Sequence, residues 1–219
     1  GLCQTLFMKP SLRLEKKLWA QGYDYLAGVD EAGRGAWAGP IVAGAVVLSR
    51  AEFEALKKEW WFKAVADSKS LSPLQRQRVF AACAAKVVWA TAVVSHKVID
   101  QLGIGAANRR VVNLAVAKLK HKPQMVLADY VAKLGNSLAG VPARVIVKAD
   151  ATLWLVALAS IVAKVQRDRL MVEYDKKYPG YGLARHKGYG TKQHQTALNQ
   201  LGVCALHRRS YRPVRAHLL

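Results

Sequence analysis

The sequence predicts an α/β domain whose mixed β-sheet is flanked by helices, with a helical extension at the C-terminal end. Three features carry that prediction. Two apolar, β-branched runs lie on either side of a glycine-rich turn, and further such runs then alternate with helical patterns. Of the 219 residues, 52% are hydrophobic, enough for one substantial core.

Along the chain, residues 11–21 read as a short basic amphipathic helix, with Leu14, Leu18 and Trp19 on one side and Gly22 placed to end it. Residues 25–29 and 41–48 are the paired apolar runs and predict two neighbouring strands. Ser72 and Pro73, with Gln75 at the capping-box position, start a helix that runs to about Lys86. Residues 87–95 follow as a third strand, and a helix over 106–120 is closed off by Pro123. Residues 125–128 and 144–147 are short buried strands. The pattern over 151–177 is helical, apolar nearly all round at first and strongly charged after Lys164, so this helix leaves the core as it proceeds. Residues 178–190 form a Gly- and Tyr-rich basic loop, 191–201 a last helix, and the tail from His207 is basic. Residues 1–170 are then one α/β domain, with 1–22 as an N-terminal helical extension, and 171–219 a helical and loop subdomain.

The charge is one-sided: 34 Lys and Arg against 14 Asp and Glu, a formal net charge of +20. That balance selects polyanionic partners such as nucleic acid or an anionic membrane surface. Because the chain can also pack a core, the charge belongs on the surface of a folded domain and not in a disordered tail. The longest near-apolar stretch, residues 153–163, is too short to cross a bilayer and contains Ser160, so it reads as a buried helix. Residues 2–7 do not make a secretory signal, which predicts a cytoplasmic protein. Cys3, Cys83 and Cys204 are too few and too scattered for a disulfide framework or a thiolate metal site.

Three of the eight aspartates end apolar, strand-like runs: Asp30 after YLAGV, Asp129 after MVLA and Asp150 after RVIVKA. A carboxylate at the edge of a buried sheet is costly unless it is hydrogen-bonded, paired with a cation or bound to metal. If the strand ends are neighbours, the acids converge and require a cation. Hard oxygen donors without a Cys or His cluster favour Mg²⁺ or Mn²⁺ over zinc. Each aspartate taken singly is as well explained as the cap of a following turn or helix. Asp67, Asp100 and Asp168 lie in polar or helical surroundings that suit surface or salt-bridge roles.

Glu31 poses a separate problem, since adjacent residues on a regular strand point to opposite faces. For Asp30 and Glu31 to serve one site, the strand has to end or distort there, and Gly33 and Gly35 supply a cause. With Arg34 between them, the backbone can approach a sugar-phosphate while a guanidinium holds a phosphate. An ordinary hairpin turn accounts for the same residues. Residues 185–194, RHKGYGTKQH, combine Arg185, Lys187 and Lys192 with Tyr189 and two glycines. Such a loop can grip phosphates and stack a ring on a base or sugar, although solvated surface loops share the composition. His186, His194 and His207 fit no dependable metal spacing.

In order and spacing these segments resemble the type 2 ribonucleases H, specifically bacterial ribonuclease HII. The motifs are GVDEAGRG followed by AGPIVAGAVVL, then DSKSLS, KADA followed by ALASIVAKVQRDRLM, YPGYGLARHKGYGTKQH and HRRSYRPV, spanning about residues 28–214. The resemblance implies an RNase H-like sheet in which Asp30, Glu31, Asp129 and Asp150 hold two Mg²⁺ or Mn²⁺ ions for in-line displacement at phosphorus. It implies cleavage of RNA in RNA–DNA hybrids and nicking of DNA duplexes on the 5′ side of an embedded ribonucleotide, leaving 5′-phosphate and 3′-hydroxyl ends. Gly33, Arg34 and Gly35 match the segment that senses the ribose 2′-hydroxyl. Tyr189 matches a tyrosine stacking on the neighbouring deoxyribose and Lys69 a phosphate-contacting lysine, and Lys187 joins them in the substrate-binding set. Residues 1–170 become the catalytic domain and 171–219 a substrate-binding subdomain, in a chain expected to be monomeric.

Four departures mark a divergent member. Ala36-Trp37 stands where the family has Pro-Leu, Tyr130 stands where a glycine follows the third acid, TLWL replaces a more polar stretch after Asp150, and LGIGAAN at residues 102–108 is atypical. They leave open a hybrid-binding module with impaired chemistry, and an RNase H-like nuclease of branched DNA is a further alternative. The terminal RPVRAHLL reads as a plain basic end that could reach a phosphate backbone, and a replication-clamp contact is left open without support from the sequence.

Overall fold

The computed structural model describes residues 10–65, 71–129 and 135–218. In chain order its elements are α1 (Arg13–Ala20), β1 (Tyr25–Ala32), β2 (Ile41–Ser49), α2 (Arg50–Leu56), α3 (Trp60–Val65), α4 (Pro73–Cys83), β3 (Val88–Val94) and α5 (His96–Ala117). There follow β4 (Met125–Asp129), β5 (Ser137–Leu138), β6 (Val141–Ile146), α6 (Ala149–Thr152), α7 (Trp154–Lys177), α8 (Leu183–His186), α9 (Lys192–Leu201) and α10 (Arg212–Arg215).

The strands form one sheet in the order β3-β2-β1-β4-β6-β5. β1, β2 and β3 pair antiparallel, whereas β4 runs parallel to β1 and β6 parallel to β4, so the sheet is mixed as the sequence predicts. All nine residues of β2 are buried because both faces of the sheet are covered. On one face α5 packs Val111, Val112 and Ala115 over Ala27, Val29, Ala43 and Ala45. On the other, α7 packs Leu155, Leu158 and Val162 with Leu18, Trp61 and Phe80 of the flanking helices. A third cluster of Ala38, Met171, Tyr181, Leu183, Ala197 and Leu206 ties the C-terminal elements to the end of α7.

Helix α7 lies unusually close to the sheet, and two glycines allow it. A Cβ at Gly28 would sit 2.3 Å from the carbonyl carbon of Leu155, and one at Gly44 would sit 2.6 Å from the Ala159 oxygen. Such contacts with backbone cannot be relieved by rotating a side chain.

Helix starts follow local chemistry where a cap is present. Ser72 accepts from Gln75 N while Gln75 accepts from Ser72 N, the capping box foreseen for α4. The same box at Ser49 and Glu52 starts α2, which the sequence reading did not anticipate. The helix expected over 106–120 is the second half of α5, which begins at His96 behind the cap Ser95 and turns at Gly103 (φ 76°). The helix expected over 151–177 is broken at Leu153, whose extended backbone (φ −117°, ψ 129°) separates α6 from α7.

Nothing in its own sequence caps α7; the cap comes from α1. Glu15 Oε1 accepts from Leu155 N at 3.2 Å, and Ser11 N donates to Thr152 O at 2.9 Å. An orphan N–H at a helix start is thereby satisfied by an acid 140 positions away. The buried face of α1 is therefore Glu15, Leu18 and Trp19, with the expected Leu14 only partly covered. Burial pushes the Glu15 carboxyl up to about 7. Among the described residues, no helix is long and apolar enough to cross a membrane.

Candidate active site

Parallel pairing of β1 with β4 brings their carboxyl ends to one edge of the sheet. The last pair in register is Val29 with Ala128, so Asp30 and Asp129 come next on adjacent strands. β6 continues the edge, with Ile146 beside Asp129. From there the chain turns through left-handed Lys148 (φ 57°) into α6, whose first turn carries Asp150. Asp150 is thus not at the end of a strand, as its sequence context suggested, but on a short helix just beyond one. Asp129 Oδ1 accepts from Ala149 N at 3.0 Å and so ties β4 to the segment bearing Asp150.

Glu31 shares this edge by a different route from the one expected. β1 neither ends nor distorts at Glu31, because regular pairing with β2 continues through Asp30–Gly44, Glu31–Ala43 and Ala32–Val42. Asp30 consequently lies on the α7 face, where Ser160 hydrogen-bonds it, and Glu31 on the α5 face. There Asn108 Nδ2 donates to Glu31 Oε1 at 3.0 Å. Among the described residues, the pairing of β1 with β4 stops at Val29, one residue before Asp30.

The acids feel one another. Burial, then the charge of Glu31, holds the Asp30 carboxyl well above the usual carboxylate range, and Asp150 adds to this while the Ser160 hydrogen bond opposes it. Burial also raises Glu31, with Asp129 adding to the effect and the Asn108 hydrogen bond and Arg34 opposing it. Among the described residues, no three His, Cys, Asp or Glu side chains are arranged to close around one ion as they stand. The donor set is nevertheless made of carboxylate oxygens that repel one another in a partly buried place, which suits a hard divalent cation.

The glycine turn is anchored from below. Gly33 is buried and left-handed (φ 93°), while Arg34 and Gly35 are exposed. Beneath the turn lie Arg167 and Arg208, both essentially fully buried and neither singled out from sequence. Trp37 N donates to Gly188 O at 2.7 Å, and the Trp37 ring covers Gly190 so closely that a Cβ there would meet the ring at 2.2 Å. The loop carrying Tyr189 is therefore fastened to the turn. The Tyr189 ring is 37% exposed and lies 5.3 Å from the Arg167 guanidinium.

Lys187 is turned onto its own loop, its ammonium donating to the Ala184 carbonyl. Lys69, Tyr130 and Asp67 lie outside the described residues. Asp100, read as a surface or salt-bridge residue, accepts from the backbone N–H groups of Arg209 and Ser210 at 3.0 and 2.9 Å and holds the C-terminal turn.

The three histidines meet after all, but as packing. His186 stacks on His194 with ring centroids 4.4 Å apart, and His194 Nε2 lies 3.1 Å from His207 Nε2. Burial pushes both His194 and His207 down to about 4, so they are neutral donors and acceptors. Of the residues that contact the candidate site and were missed from sequence, Asn108 and Ser160 had a signal, each being a polar side chain in a helical stretch with apolar neighbours. Arg167 and Arg208 had none, since both sit among other charges.

Acids gathered at one edge of a mixed sheet, on a chain otherwise strongly basic, are a candidate nuclease site, and the sheet is of the RNase H-like class. Residues 27–214 match the family model described as Ribonuclease HII. The chain is 42% identical over 205 residues to the ribonuclease HII of Acholeplasma laidlawii, covering 93% of this chain and 95% of that protein. It is 42% identical over 208 residues to that of Dehalococcoides mccartyi, covering 94% and 95%. The chain belongs to the ribonuclease HII family, endonucleases that cut RNA in RNA–DNA hybrids.

Among solved structures, ribonuclease H2 from Pyrococcus horikoshii OT3 matches with a TM-score of 0.73 at 30% identity, over 88% of this chain and 96% of that one. RNase HII of Archaeoglobus fulgidus in its PCNA complex shares the fold, with a TM-score of 0.69 at 24% identity over 84% and 91% of the chains. So does Bst-RNase HIII in complex with Mn²⁺, with a TM-score of 0.65 at 18% identity over 90% and 70%.

Proposed function

We propose that, within the hybrid-directed activity of its family, this chain also nicks DNA duplexes on the 5′ side of an embedded ribonucleotide, with Asp30, Glu31, Asp129 and Asp150 as ligands of two Mg²⁺ or Mn²⁺ ions. The observation that carries the reading is the convergence of four acids from β1, β4 and α6 on one sheet edge, with Asp30 held against ionisation by burial and by Glu31, and Glu31 by burial and by Asp129. Manganese binding by Bst-RNase HIII, which shares the fold, supports the choice of cation. Bound ions would supply a water-derived nucleophile and stabilise the departing 3′-oxygen, leaving 5′-phosphate and 3′-hydroxyl ends.

The protein's own groups place the duplex. Asn108 and Ser160 hold Glu31 and Asp30 from opposite faces, so the two acids approach the scissile phosphate from either side of β1. Arg34 is exposed beside Glu31, where its guanidinium can take a phosphate oxygen. The backbone at Arg34 and Gly35 is exposed, with open space around Gly35, and can approach a ribose. Tyr189 offers its exposed ring to the neighbouring sugar, and Lys69 is assigned a flanking phosphate. Lys187 can reach a phosphate only by leaving the Ala184 carbonyl.

The test is to incubate two substrates with Mg²⁺ or Mn²⁺, a DNA duplex carrying one ribonucleotide and a long RNA–DNA hybrid. Metal-dependent incision 5′ of the single ribonucleotide is expected. Folded protein that cuts the hybrid and leaves the single-ribonucleotide duplex intact would overturn the nicking assignment, and failure on both would overturn the site.

A further inference from the structure

The geometry points to Arg208, assisted by Tyr211, as a positioning residue that aims the backbone N–H groups of Arg34 and Gly35 at the substrate. The inference rests on the reading above that this turn meets ribose. Arg208 is fully buried, yet its acceptors are the turn's carbonyls and a tyrosine oxygen. Nε donates to Gly39 O at 3.0 Å, Nη1 to Arg34 O at 2.9 Å and Nη2 to Gly33 O at 2.7 Å. Nη1 also donates to Tyr211 Oη at 2.9 Å, and that hydroxyl in turn donates to Arg34 O at 2.6 Å. Arg167 supports the far end of the turn in the same way, donating to Ala38 O, Pro40 O and Lys187 O.

Planarity of the peptide bond converts these contacts into a direction. No peptide bond in the described chain is cis, so each C=O points opposite to the N–H of the next residue. Arg208 draws the carbonyl of Gly33 inward, which turns the N–H of Arg34 outward. It draws the carbonyl of Arg34 inward with Tyr211, which turns the N–H of Gly35 outward. Both residues are exposed, so two successive N–H groups face solvent together, a concavity suited to an anionic or hydroxyl oxygen. A planar guanidinium with its donors in a fixed fork can hold adjacent carbonyls in this way, and an ammonium cannot.

The two glycines then have different duties. A Cβ at Gly33 would lie 1.9 Å from Arg167 Nε, so Gly33 is required from inside the protein. A Cβ at Gly35 would meet nothing within 4 Å, so its lack of a side chain serves whatever approaches from outside.

The test uses Arg208→Lys and Tyr211→Phe in the full chain, with two readouts. The first needs no substrate: amide ¹H–¹⁵N resonances of Arg34 and Gly35 are expected to move in both variants. The second compares kcat and KM on a duplex with one ribonucleotide against inhibition by an all-DNA duplex of the same sequence. Arg208→Lys is expected to lower kcat/KM about tenfold and Tyr211→Phe about threefold. The loss should come through KM, with all-DNA inhibition unchanged. A merely structural role would weaken both duplexes alike and overturn the proposal, as would unmoved Arg34 and Gly35 amides. If Arg208→Lys does not fold, Tyr211→Phe, which keeps the ring, decides by the same amides. If the parent protein cuts no ribonucleotide-containing duplex, the functional reading falls while the amide shifts still judge the positioning.

Discussion

Replacing Glu15 by Gln removes a buried charge while keeping an oxygen for Leu155 N, and it should raise stability at neutral pH. In the folded protein, burial lifts this carboxyl from its ordinary 4.5 to about 7. Between those values the folded chain holds the proton more tightly than the unfolded chain, so stability falls as pH rises through the window. The full fall corresponds to about 3 kcal/mol, present below about pH 4.5 and lost above about pH 7. Glu15→Gln has no proton to release there. The variant should match the parent at the acid end of the window and exceed it by up to about 3 kcal/mol at the alkaline end. Urea unfolding followed by circular dichroism between about pH 5 and about pH 8 reads this directly. Parallel stability curves for parent and variant would refute the reasoning. Glu15→Ala, which also strips the acceptor from Leu155 N, should instead be destabilised throughout, by about 1–3 kcal/mol.

The histidine cluster predicts an opposite slope: His194 and His207 are pushed down to about 4, so stability is complete above their ordinary 6.5 and declines as pH falls towards 4. That acid limb is best measured by urea unfolding in Glu15→Gln, where the carboxylate slope is gone. Gly190→Ala should cost about 1–3 kcal/mol by driving a methyl group into the Trp37 ring, and in a Trp37→Ala background thermal melts should show most of that penalty gone. Addition of Mn²⁺ should raise the melting temperature of the parent in proportion to the logarithm of metal concentration. Asp30→Asn, which removes one candidate ligand, should gain little from Mn²⁺.

What was legible in the sequence was whatever depends on neighbours along the chain. The β-branched runs gave β2, β3 and β4 to within a residue at each end and β1 three residues short, and Ser72 with Gln75 gave the start of α4. Asp30 and Asp129 could be read as edge acids because apolar strands lead straight into them. The break at Leu153 could not be read, since the oxygen that caps α7 belongs to Glu15 in α1. Nor could the local backbone around Glu31. The sequence called for a strand that ends or distorts there, whereas β1 stays regularly paired with β2 as far as Ala32, one residue beyond Glu31. Arg208 is the clearest case of information held only in the fold. It reaches carbonyls 174 and 175 positions away, and nothing in HRRS distinguishes it from the exposed Arg209 beside it.

Asp150 is the acid whose place the fold changed most, and it offers the sharpest test of the four-acid site. Asp150→Asn keeps the side-chain volume and removes one candidate ligand. The measurement is the rate of Mn²⁺-dependent incision of a duplex with one ribonucleotide, for parent and variant at matched folded concentration, with product ends mapped. The parent should leave a 3′-hydroxyl on the 5′ side of the ribonucleotide, and the variant should be slower by a factor of about a hundred or more. A variant that cuts at the parent's rate would contradict the assignment of Asp150, and with it the four-acid site on this sheet edge.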